Sequence, residues 1–319
     1  MRRLSRLALP AVLAAALLAA AAPIARAQSG LTVKQKSTID MGSMGGGELT
    51  ETVMIHGADR QKRVTEGRMK FFVISRDASA TEIVRLDQGQ VYRIDAKKKQ
   101  AQAQSFAEMR KEVEKAQKEM EKAASAPDEK NVRVWVESQG VERTGERRSI
   151  NGFDTERAVL RLTVMGEDLK TQEKSPLFYL SSDMWIAPGQ TEAARIQQAF
   201  LSGYVEAMGL DVRGAGNPYA RYFKDLYVEM DALEGYPILS TLTVEAPAAE
   251  GEAGASANPV GAVLGGLMRR GNRANEEAKP AASAPGRAVV FRTTTEVLSL
   301  STEAPPPSEF ELPEGYRVR

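Results

Sequence analysis

Ala158, Leu160, Leu162 and Val164 alternate with Arg161 and Thr163. A period of two sends alternate side chains to opposite faces of an extended chain, so this stretch reads as a strand with one buried face. Such segments recur along the chain, and this limits the fold more than any other feature. Val132, Val134 and Val136 share one face, and Trp135 points to the other. Residues 33–41 and 49–55 read as a hairpin pair around a turn at Gly45, Gly46 and Gly47, and their Thr, Val and Ile content favours strand over helix. Phe71-Phe72-Val73-Ile74 reads as part of a buried strand over 69–74. Residues 83–86 and 91–94 flank Asp87-Gln88-Gly89-Gln90, a hairpin with glycine where positive φ is wanted. Lys97-Lys98-Lys99 reads as a solvated turn rather than a binding patch. Residues 177–186 form an aromatic-rich strand carrying Phe178, Tyr179 and Trp185, stopped by Pro188-Gly189, and strand resumes over 288–300.

Two segments break this rhythm with helical spacing. In Phe106–Ala124, the residues Phe106, Met109, Val113, Ala116 and Met120 line one face, Glu114 and Lys118 form an i,i+4 pair, and Pro127 ends the segment. So narrow an apolar stripe needs a surface to lie on, and docking on the sheet is the expected arrangement. The second helix is predicted from an N-cap at Thr191 through Met208, with Ile196, Phe200 and Tyr204 on its apolar face and Gly209 as its end signal. Ile55-His56-Gly57-Ala58-Asp59 and Ile150-Asn151-Gly152-Phe153-Asp154 both read I-x-G-x-D. This echo marks either a duplicated hairpin or the same turn chemistry reached twice.

The N-terminus carries Arg2, Arg3 and Arg6, an apolar run over 7–22, and Ala25-Arg26-Ala27 before Gln28. That is the pattern of a secretory signal peptide over 1–27, cleaved after Ala27. The run is short of the ~20 residues of a membrane span. The mature chain, 28–319, is therefore expected in the periplasm or secreted, soluble and without a transmembrane segment. Cysteine is absent, so an exported fold must stand without disulfides, and thiolate metal sites and cysteine nucleophiles are excluded. His56 is the single histidine, which excludes multi-histidine metal sites; it reads as a solvated turn residue. Lys+Arg 43 against Asp+Glu 42 leaves no basic excess for nucleic acid. Met41 and Met44 beside the glycine run fit a hairpin loop better than a copper site, and no metal or cofactor is expected. Residues 246–287 are rich in Ala, Gly, Pro, Glu and Asn and read as a disordered insertion within one domain. Inside it, Val260, Val263, Leu264, Leu267 and Met268 keep helical spacing before Arg269-Arg270.

Several phrases resemble one known family. They are Gly57-Ala58-Asp59-Arg60; Ile83-Val84-Arg85-Leu86-Asp87 leading to Val91-Tyr92-Arg93-Ile94-Asp95-Ala96-Lys97-Lys98-Lys99; Gly145-Glu146-Arg147 to Ile150-Asn151-Gly152-Phe153; Met184-Trp185-Ile186-Ala187; Leu233-Glu234-Gly235-Tyr236-Pro237; and Phe310-Glu311-Leu312-Pro313-Glu314-Gly315-Tyr316. They resemble an exported bacterial family defined by a domain of unknown function, itself similar to the periplasmic lipoprotein carriers LolA and LolB. The resemblance implies a mainly β (α+β) fold. In it an antiparallel sheet curls into an unclosed half-barrel, and helices cover its concave apolar face. It carries over no catalytic motif and no lipid-contacting residue.

The expected function is a periplasmic, non-catalytic binding protein for an apolar or acyl-chain ligand. Its candidate ligand-binding residues are Phe72, Tyr92, Trp135, Phe178 and Trp185, because a concave site lined with large side chains suits such a ligand. The alternative is an envelope scaffold or protein-interaction module, with an envelope protein as partner. An enzyme would rest on a carboxylate pair, and Asp183 and Asp225 are candidates only by their nearness to aromatics. No G-x-S-x-G, P-loop or H-E-x-x-H occurs.

Overall fold

The computed structural model describes residues 29–72, 74–124, 132–209, 233–247 and 286–319, without the side chains of 43, 116–124, 132, 138 and 139. Residues 1–28, Pro127, Asp225 and most of residues 246–287 lie outside the described residues. The strands are β1 (Gly30–Asp40), β2 (Gly45–His56), β3 (Arg60–Phe71), β4 (Ile74–Asp77), β5 (Ala80–Arg85), β6 (Gln90–Asp95), β7 (Gln100–Ser105), β8 (Val132–Ile150), β9 (Phe153–Asp168), β10 (Lys174–Ala187), β11 (Tyr236–Pro247), β12 (Arg287–Ser301) and β13 (Arg317–Val318). Helix α1 (Phe106–Ala124) follows β7, and α2 (Thr191–Ala207) joins β10 to β11.

These strands form one sheet in the order β13-β7-β6-β5-β3-β2-β1-β12-β11-β10-β9-β8, with β4 added to β3. Two antiparallel meanders therefore meet where β1 pairs β12. Among the described residues, only β13, beside β7, runs parallel to its neighbour. The sheet is not closed, since β8 and β13 stand at opposite edges. The fold class read from the sequence, an unclosed, mainly antiparallel sheet with two helices, is the one observed. Pro247 pairs with Arg287, so the chain leaves and re-enters the sheet at one hairpin end.

Local chemistry sets the turns, and it corrects three readings. The first hairpin turns at Met41–Met44 rather than at the glycines, which lie inside β2 between β1 and β3. A Cβ at Gly45, Gly46 or Gly47 would collide with the carbonyl oxygens of Lys70, Ile39 and Arg68 respectively. Here glycine permits close backbone approach rather than a loop. Phe72 and Ile74 are not part of a buried strand. Phe72 sits in the β3–β4 turn at φ 53° and is 48% exposed, and Ile74 is 53% exposed. Nor does Thr191 cap α2, because the cap position is Gln190 and Thr191 is the first helical residue.

The two I-x-G-x-D phrases differ. Asn151 and Gly152, at φ 51° and 83°, make a two-residue turn in which Ile150 pairs with Phe153. That fits an Asn-Gly hairpin. His56 pairs with Arg60 across a three-residue turn. The two phrases therefore form turns of different length.

Both helices lie on one end of the sheet. From α2, Ala193, Ile196 and Phe200 are buried; from α1, Phe106 is buried and Met109 and Val113 pack beside it. They meet Leu31, Val33, Ile55, Val84, Val91, Ile238 and Val297 of the sheet. Phe106 packs edge-on against Tyr204 at 5.8 Å, and Phe200 stacks on Tyr204 at 6.3 Å. The N-terminus of α1 is closed by a capping box: the Ser105 N–H donates to Glu108 Oε2 at 3.0 Å, and the Glu108 N–H donates to Ser105 Oγ at 3.3 Å. Arg110 Nη1 donates to the Ala207 carbonyl at 2.5 Å, placing a cation at the C-terminal end of α2.

Candidate functional site

Cross-strand partners share a sheet face, so the register shows which side chains line up. Val136 pairs with Val164 and Val164 with Phe178; Leu162 pairs with Leu180, Leu180 with Val244 and Val244 with Phe291. These residues make an apolar row across β8 to β12. Nearer the helices, Ala158 pairs with Met184. Ala158, Leu160, Leu162, Met184 and Ile186 form a second buried cluster with Val136, Val141, Leu180 and Leu233 around it. Among the described residues, this cluster takes no side chain from α1 or α2, which serve the first core. Val136, Val164, Phe178, Val244 and Phe291 are only half-buried.

The five candidate ligand-binding residues do not converge. Phe178 alone lies on this apolar row. Trp135 pairs with Met165, one position from Val136–Val164, and so faces the other way. Its Nε1–H donates to Glu137 Oε1 at 3.0 Å. Trp185 pairs with Arg157, next to Met184–Ala158, and also faces away. Tyr92, on β6, pairs with Ile83 in the other meander, and its hydroxyl lies 3.3 Å from the Gln88 side-chain amide. Phe72 stands at the β3–β4 tip.

Behind the apolar row, on the Trp185 face, is an open cleft of about 310 Å³ lined by Arg148, Arg157, Asp183, Trp185, Leu239 and Thr241. Arg148 carries its guanidinium 3.8 Å from the centre of the Trp185 ring, and Arg157 lies 5.9 Å from it. Arg157 grips Asp183 through Nε at 3.0 Å and Nη2 at 2.7 Å, and donates to Glu146 from Nη1 at 2.6 Å. These bonds raise the Arg157 pKa, with the Asp183 hydrogen bond as the main cause. Nothing local in the sequence marks Arg148, Arg157, Leu239 and Thr241 as neighbours, because only the β8–β11 register brings them together.

The remaining candidates serve structure. His56 is half-buried rather than solvated: Nδ1 lies 2.9 Å from the Pro305 carbonyl, and the ring packs 5.9 Å from Phe310. Arg85, whose side chain is 6% exposed, grips Asp87 at 2.8 and 2.7 Å and Glu311 at 2.8 Å. Asp87 also faces Arg60 at 3.6 Å. Three of the phrases that carry the family resemblance thus form one charged network that ties the C-terminal segment to the sheet. Tyr236 is buried and bonded to Gln197, and burial raises its hydroxyl pKa. Among the described residues, no group of three or more His, Asp or Glu could hold a metal ion, and no helix is long and apolar enough to cross a membrane.

No protein-family model and no curated protein matches the chain. One solved structure, provisionally described as an outer membrane lipoprotein-sorting protein domain from Vibrio parahaemolyticus, is weakly similar to it. The match covers 89% of this chain and 90% of that one, at 8% identity and a TM-score of 0.19. A likeness at that level carries no argument about function. What the coordinates define is a class: an unclosed, mainly antiparallel sheet with two helices packed on one end.

Proposed function

We propose that this chain is a non-catalytic envelope protein that binds an apolar or acyl-chain ligand against the sheet face of β8–β12. The supporting observation is the apolar row from Val136 to Phe291, which extends beyond the core served by the two helices. Burying about ten methylenes at ~0.8 kcal/mol each supplies roughly 8 kcal/mol, enough to offset a cost of association of at least about 4 kcal/mol. Export rests on the signal-peptide pattern of residues 1–27. The non-catalytic reading is supported by Asp183, whose two oxygens are held by Arg157, and by His56, which is tied to the Pro305 carbonyl.

Native mass spectrometry of residues 28–319, purified without detergent, tests this. The expected result is an added mass that disappears on solvent extraction, or uptake of offered fatty acid or phospholipid. Apoprotein that takes up neither would overturn it. The scaffold reading is favoured by one observation, the exposed Phe72 and Ile74 at the β3–β4 tip. Apoprotein together with a cross-linked partner that is lost in the F72S/I74S variant would select that reading.

A further inference from the structure

The Trp185 cleft lies on the face opposite the apolar row, and its polar groups are committed to one another with one exception. All three Arg157 nitrogens and both Asp183 oxygens are in hydrogen bonds within the Arg157–Asp183–Glu146 group. The Thr241 hydroxyl is shared with Thr294 at 3.1 Å. Among the described residues, the Arg148 guanidinium has no carboxylate or carbonyl partner; it only stacks on Trp185. We propose that this cleft is a second binding site, in which Arg148 takes the oxyanion of a small carboxylate or phosphate ligand.

Three features support this. A guanidinium lying over an indole leaves N–H donors free at its edge, where two of them match the two oxygens of a carboxylate or phosphate. The main chain at Arg148 is fixed, since its carbonyl accepts the Thr155 hydroxyl at 2.7 Å and Thr155 is 2% exposed, and the contact with the Trp185 ring holds the guanidinium. A donor already held in place loses less freedom on binding. The cleft lies at the small end of the range for ligand pockets, roughly 300–1,000 Å³. Because the Arg157 charge is already met by Asp183 and Glu146, Arg148 supplies the attraction.

The chain has two tryptophans, so W135F leaves Trp185 as the sole tryptophan, excited selectively at the red edge of the absorption band. This protein is titrated with sodium benzoate, benzyl alcohol and sodium phosphate at constant ionic strength set by NaCl, and with phosphatidylglycerol vesicles. Isothermal titration calorimetry with benzoate runs in parallel, because R148A itself changes the Trp185 signal. The expected result is saturable binding of benzoate or phosphate and none of benzyl alcohol, with R148A at least tenfold weaker and R148K weakened because it keeps the charge but loses the fork. Saturation by the vesicles alone, abolished in R148A, places the same oxyanion on a lipid headgroup. Equal heats and equal emission changes in the parent and R148A, or a response no different from that of NaCl, would overturn the proposal. An unchanged unfolding midpoint in R148A, expected of an exposed side chain, excludes misfolding as the cause. None of these outcomes depends on whether the apolar row binds a ligand.

Discussion

Replacing Arg85 by alanine removes the side chain on which the C-terminal segment is anchored. It takes away two hydrogen bonds to Asp87 and one to Glu311, and a long contact of 3.4 Å to the Phe310 carbonyl. Removing one partner of a fully buried ion pair costs about 3–5 kcal/mol. The Asp87 side chain is 25% exposed and keeps Arg60 at 3.6 Å, which lowers the figure. Glu311 is 57% exposed, so its arm contributes at most about 1 kcal/mol. The expected loss is therefore about 2–4 kcal/mol at neutral pH. At roughly 2–3 °C per kcal/mol for a chain of this size, Tm should fall by about 4–12 °C. The loss should also depend on pH. The hydrogen bond from Arg85 holds the Asp87 carboxyl below its ordinary range. A depressed carboxylate pKa contributes stability above the unfolded value of about 3.9, and that stability disappears as pH falls through the folded value. The gap between wild type and R85A should accordingly be full at pH 7 and shrink below about pH 4. Urea unfolding followed by circular dichroism at both pH values measures it. A loss under about 1 kcal/mol at pH 7, or a gap that is unchanged in acid, would refute the reasoning.

Two further effects on stability are expected. Phe200→Ala empties a site 1% exposed between α2 and the sheet and should cost about 3–5 kcal/mol, read as a lower urea midpoint with an unchanged m-value. Ser105→Ala and Glu108→Ala each break the capping box of α1 and should cost about 1 kcal/mol. A double-mutant cycle should show the double variant losing less than the sum, because the two side chains act as one unit.

Much of the secondary structure was legible in the sequence, because its causes are local. The bounds of α1 follow from one apolar stripe. Gly89, at φ 66°, closes the β5–β6 turn where Asp87-Gln88-Gly89-Gln90 predicted a hairpin. The alternation from Ala158 to Val164 assigned those side chains to one face before any partner was known. Composition removed thiolate and multi-histidine chemistry outright. Tertiary structure decided the rest. Gly45, Gly46 and Gly47 read as a loop because a glycine run has two local meanings, and only the nearness of Lys70, Ile39 and Arg68 distinguishes them. Phe72 read as buried because hydrophobicity states a preference, not the place of the turn. Arg85 and Glu311 meet across 226 positions, and Arg148 reaches Trp185 through β9. Periodicity records which side of its own strand a residue occupies. Which distant residue stands opposite it depends on strand order and register, and these are fixed by pairing across the whole sheet.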